Sequence, residues 1–141
     1  MKRRANHIGR LLIVLALLTS LFACKKGPGP GGQCSISGKV FAHAVKNVGF
    51  THYTLDTSYY AGAENVFISY GDEPGVGQTV RTAEDGSFLF EYLLPGKYKV
   101  YAVSRDTNNK FNNVKRVVTL QEIEITGRRD QIILEDLVIL K

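Results

Sequence analysis

The chain has 141 residues, 44% of them hydrophobic and 22% charged, with 18 Lys and Arg against 13 Asp and Glu. The formal charge of +5 would suit an anionic partner, but four of the cations (Lys2, Arg3, Arg4 and Arg10) stand before residue 24, where no acid stands. From residue 24 onward the balance is 14 against 13, about +1, so nucleic-acid binding, which needs a basic patch to offset phosphate charge, is excluded.

In chain order, the basic n-region is followed by the apolar run Leu11–Leu18 and by Leu21-Phe22-Ala23-Cys24. The run is too short for a helix of ~20 residues across a ~30 Å hydrocarbon core, and its flanks are those of a secretory signal. Leu three places before Cys and a small residue next to it resemble the bacterial lipobox. The resemblance implies cleavage after residue 23 and acylation of Cys24 (thioether-linked diacylglycerol plus an N-acyl chain such as palmitate). Cys34 then has no disulfide partner and reads as a small apolar residue opening a strand rather than as a reactive thiol.

Residues 24–33 read as a lipidated Cys and a Gly/Pro-rich tether, which lacks apolar side chains to bury. Nine extended residues reach at most ~30 Å, so the domain is expected close to a membrane. The Lys-bearing Gly/Pro tether resembles those of Bacteroidetes lipoproteins. In that group, acids just after the Cys accompany surface export; they are missing here, so the periplasmic face of the outer membrane is favoured over the cell surface.

Residues 34–141 are enough for one core. Period-2 alternation dominates them, over Ser35–Ala42, Asn65–Tyr70, Gln78–Ala83 (a polar edge), Phe88–Leu93, Tyr98–Ala102, Val114–Thr126 and Gln131–Leu140. Asp85-Gly86 and Pro95-Gly96 are turn signals between them. About seven short strands with no sustained helical spacing predict an all-β, Greek-key sandwich. Apolar residues on both faces of Gln131–Leu140 predict a strand buried on both sides.

Four runs then carry a family resemblance: Ile36-Ser37-Gly38-Lys39-Val40, Gly62-Ala63-Glu64-Asn65-Val66-Phe67-Ile68, Thr82-Ala83-Glu84-Asp85-Gly86-Ser87-Phe88 and Leu94-Pro95-Gly96-Lys97-Tyr98-Lys99-Val100. Together, in this order, they resemble the carboxypeptidase regulatory-like and Cna-B-like domains. The resemblance implies a transthyretin-like sandwich used as an accessory or structural module, and it brings no catalytic residues. The internal Lys–Asn isopeptide bond of some Cna-B-like domains is not expected, because Gln131–Lys141 contains no Asn.

The departure from that pattern is the long insertion at residues 43–61. Its Phe50, Tyr53, Tyr59 and Tyr60 are the candidate binding residues, as a stacking surface for a protein or glycan or else as a cover for the open edge of the core. His43 and His52 lack the spacing of a zinc site, no GxSxG or paired-carboxylate pattern occurs, and no cofactor or metal is expected. The expected function is that of a non-enzymatic envelope lipoprotein: a protein- or glycan-binding accessory module at the outer membrane, beside some outer-membrane protein. The alternative is a structural spacer without a ligand.

Overall fold

β-branched and aromatic residues at every second position suit the pleated chain, whose side chains alternate between two faces. In the computed structural model, which describes residues 27–47, 53–106 and 116–141, the pattern yields nine strands. They are β1 (Pro30–Asn47), β2 (Tyr53–Tyr60), β3 (Asn65–Tyr70), β4 (Gln78–Arg81), β5 (Ser87–Leu93), β6 (Gly96–Arg105), β7 (Arg116–Ile125), β8 (Gln131–Ile133) and β9 (Leu137–Leu140).

The first sheet is organised around β1. On one side its first half pairs antiparallel with β5, Ile36 opposite Phe90, and its second half with β2, Phe41 opposite Tyr60. On the other side β8 and β9 run parallel to it, Ile36 beside Ile132 and Phe41 beside Val138. The second sheet is antiparallel throughout, in the order β4-β3-β6-β7. Ile36, Val40 and Ala42 of β1, Phe88 and Phe90 of β5, and Leu137 and Ile139 of β9 meet Val66, Ile68, Tyr98, Val100 and Ile125 of the second sheet in one buried core. Position 38, on the inward face of β1, is held by glycine because a Cβ there would stand 2.8 Å from the Phe88 ring. The I-x-G-x-V pattern is thus a packing requirement.

The all-β sandwich is as expected, and the strand count rises from about seven to nine for two reasons. The described part of the 43–61 insertion lengthens β1 and supplies β2, which pair from Phe41–Tyr60 to Asn47–Tyr53. The last expected strand divides into β8 and β9, with Leu134 N–H donating to Ser37 O (2.8 Å) between them. Its expected burial on both sides is corrected. Leu137 and Ile139 are buried, but Val138 is exposed and Ile133 is 81% exposed, because nothing covers the outer face of this sheet among the described residues.

The expected tether is also shorter than residues 24–33. Pro30–Gln33 begin β1, and Gly29 is buried. Apolar burial does not hold this segment. Backbone hydrogen bonds and a tyrosine hydroxyl do, at glycines that permit close approach: a Cβ on Gly32 would lie 1.9 Å from Leu93 O. The signal residues 1–23, Cys24, Phe50 and His52 lie outside the described residues.

Candidate functional site

Strand pairing places partners on one face of the sheet, so the register of β1 fixes what its outer face displays. One row is Tyr60, Phe41 and Val138; the next is Ser58, His43 and Leu140; beyond it Leu55 stands opposite Val45. Toward the other end of β1, Leu89 and Ile133 flank Ser37. Leu55 (67% exposed), Tyr60 (45%), Val138, Leu89 and Ile133 are all exposed. A soluble domain seldom leaves so many large apolar side chains on one sheet face unless something binds there.

The aromatic members are held in place. Phe41 packs edge-on to Tyr60 and to His43, each at a centroid distance of 5.2 Å. Lys39 Nζ sits 4.8 Å above the Tyr60 ring and 3.3 Å from Asp85. The Tyr60 hydroxyl donates to Asp136 Oδ2 at 3.2 Å, tying β2 to the turn before β9. Hydrogen bonds from the Ser87 hydroxyl and amide, with help from Lys39, lower the Asp85 carboxyl to about 2, so the anion that positions Lys39 persists at ordinary pH. These contacts fix rotamers that binding would otherwise have to order.

Of the four aromatic candidates in the insertion, Tyr60 joins this face. Tyr59 is paired with the inward-facing Ala42, so it points the opposite way and is 43% exposed. Tyr53 opens β2 opposite Asn47. Neighbouring strand residues alternate faces, so Tyr59 and Tyr60 do not share a surface. Phe41 and Val138 escaped sequence reading. Phe41 lies with Ser37 and Lys39 on the outward side of β1, and only the register places Tyr60 and Val138 beside it.

Among the described residues His43 and Ser58 form a pair that looks like a base beside a hydroxyl, with Nδ1 and Oγ 2.6 Å apart. They face each other across two strands on an exposed surface. Open depressions, about 300 to 390 Å³ in volume, lie at the ends of the second sheet. One of them gathers Arg105, Arg116 and Lys141, of which Lys141 is paired with Glu64. No group of three or more His, Cys, Asp or Glu that could hold a metal occurs among the described residues. Cys34 is buried, with its thiol donating to Gly127 O at 3.3 Å.

No curated protein and no solved structure shows significant similarity to the chain. A family model described as "BOS complex subunit NOMO1-like, second beta sandwich domain" matches residues 49–134, more than half of the chain. The motif resemblance to carboxypeptidase regulatory-like domains agrees with it in one respect, the β-sandwich. By this match the chain belongs to the NOMO1-like second β-sandwich domain family.

Proposed function

We propose that this protein is a non-enzymatic, lipid-anchored accessory module. It is carried by an acylated Cys24 on the periplasmic side of a bacterial outer membrane and binds a protein partner through the outer face of its first sheet. The observation that carries the reading is that face itself: Tyr60, Phe41, Val138 and Leu55 form an apolar–aromatic surface of the composition that buried interface centres favour. Support also comes from the family, named for a subunit of a complex. A protein fits better than a glycan because β9 contributes aliphatic side chains, which offer a sugar no hydrogen bonds. Acylation would raise the local concentration of the module at the membrane, and more than one acyl chain is what stable anchoring requires.

The test replaces Tyr60 with a photo-crosslinking phenylalanine analogue in the lipidated protein and analyses the adducts formed in its own envelope. The expected result is a stoichiometric protein adduct that is lost in a Phe41→Ser/Val138→Ser variant whose melting temperature falls by only a few degrees. A crosslinked protein unaffected by those substitutions would refute the face as the binding surface. No saturable partner at all would favour a spacer.

A further inference from the structure

The first residues of the described chain are bound to the sandwich by a clasp. Gly29 N–H donates to Tyr98 Oη at 3.0 Å, Leu94 N–H donates to Gly29 O at 2.9 Å, and the Tyr98 hydroxyl donates to Leu94 O at 2.5 Å. Pro28 rests on two glycines. A Cβ on Gly96 would come within 2.8 Å of Pro28 Cβ, and one on Gly71 within 3.2 Å of Pro28 Cγ. Further on, Arg129 Nε donates to Gln33 Oε1 at 2.8 Å. The contacts come from the β3–β4, β5–β6 and β7–β8 turns, which all lie at one end of the sandwich.

Three residue steps separate Cys24 from Gly27, and at full extension they span no more than about 11 Å. The lipid-bearing residue therefore cannot stray far from this end. β1 leaves the clasp and runs for 18 residues, a contour of up to roughly 60 Å, and its last part, from Phe41 to Asn47, forms the hairpin with β2 toward the opposite end. At the clasped end, two large apolar side chains face outward, Val76 from the β3–β4 turn and Tyr92 (69% exposed) from β5. Tyr92 has φ of +60°. It occupies a bulge where three residue steps on β5, from Leu93 to Phe90, face two on β1, from Cys34 to Ile36. A non-glycine residue held in the left-handed region is uncommon, and here that conformation accompanies an outward-facing aromatic. An amphipathic ring suits the level of the lipid headgroups.

We propose that the clasp of Pro28 and Gly29 on Tyr98, Gly71 and Gly96 seats this end of the sandwich on the lipid surface, with Tyr92 and Val76 at the interface and the β1–β2 hairpin held away from the bilayer. The proposal rests on the lipid anchor at Cys24 and adds an orientation to it. The module is then a short pillar rather than a bead on a loose string, and its hairpin meets partners at a set height.

The experiment uses the full lipidated chain in a Cys34→Ala background, with donor dyes at Glu73→Cys (clasped end) or Lys46→Cys (hairpin end). The chain is reconstituted in vesicles of phosphatidylethanolamine and phosphatidylglycerol containing an acceptor-labelled lipid. The expected result is severalfold stronger energy transfer from position 73 than from position 46. That difference should collapse in Gly29→Pro, which removes the donor outside the core, and in Tyr98→Phe, with both variants still showing the β-sheet spectrum. Equal transfer from both positions in an acylated protein with an intact clasp would overturn the orientation alone, as would a difference that survives both variants. Mass analysis of the N-terminal peptide is the separate arm: an unacylated Cys24 would overturn the anchor and the orientation with it.

Discussion

Tyr98→Phe isolates what one hydroxyl contributes to this fold. The ring is almost completely buried and stacks edge-on to Tyr70 at 5.9 Å, and phenylalanine keeps that packing, so no cavity is opened. What disappears is the acceptor for Gly29 N–H and the donor to Leu94 O. A buried group left without its partner costs about 1–3 kcal/mol, and two such groups that share one oxygen suggest a total of about 2–3 kcal/mol. For a domain of this size that corresponds to a melting temperature lower by roughly 8–12 °C. Urea unfolding followed by fluorescence should show the midpoint falling at an unchanged slope, and amide exchange should accelerate at Gly29 and Leu94. Burial raises the Tyr98 hydroxyl above its ordinary value of 10.0. The stability it contributes is therefore complete below about pH 10 and is lost as the pH rises through the folded value, so the variant should lack that alkaline component. A loss under about 0.5 kcal/mol, the scale of a neutral surface change, would refute the clasp as a source of stability.

Three further outcomes are expected. Tyr92→Gly relieves the left-handed conformation of a tyrosine and should stabilise the domain by up to about 1 kcal/mol in urea unfolding, less the greater freedom of glycine in the unfolded chain. Gly38→Ala pushes against the Phe88 ring and should cost about 1–3 kcal/mol, with the loss recovered in part by Gly38→Ala/Phe88→Leu. Asp85 is held at about 2, below its ordinary 3.8, so its contribution is present above the ordinary value and is lost as the pH falls from about 4 toward 2. Asp85→Asn should flatten the acid limb of a stability-against-pH curve in that window.

Much of the architecture was readable because a strand buried on one face must alternate. Ile36, Val40, Val66, Ile68, Phe88, Phe90 and Val100 all alternate in sequence and are all in the core. Turn chemistry located Asp85-Gly86, and Asp85 does bond the Ser87 amide two residues on, at 3.1 Å. Pairing between distant segments was not readable. Nothing in Gln131–Leu140 states that it runs parallel to β1, or that Val138 lies beside Phe41, because alternation reports which residues share a face and not which neighbour completes it. The clasp was hidden for a related reason. Gly27–Gln33 has the composition of a linker, and its order comes from backbone groups and from the absence of side chains at Gly71 and Gly96, which hydrophobicity does not register. Tyr59 and Tyr60 read alike by residue type and by their place in the insertion, and only the register puts them on opposite faces.

The edges of the sandwich bear on how a partner can approach. Strand addition needs a run of unpaired backbone groups, and most of the edges here are unsuited to it. β4 and β8 have only four and three residues. Beside β9, Thr119 Oγ1 donates to Val138 O at 2.8 Å and Gln121 Nε2 to Glu135 O at 3.1 Å, while Leu140 N–H donates to Ser104 Oγ at 2.8 Å. Side chains of the second sheet thus occupy the places where a new strand would bond. β7 carries Glu122 and Glu124 along its length, and β2 is broken by a register shift at Asp56, opposite the step from Ala44 to Val45. Edges blunted by shortness, side-chain bonds, charge and a bulge disfavour pairing through the backbone, whereas the outer face of β2, β1 and β9 has fixed aromatic rotamers and open aliphatic neighbours. Side-chain recognition on that face, as in the proposed function, is compatible with these edges.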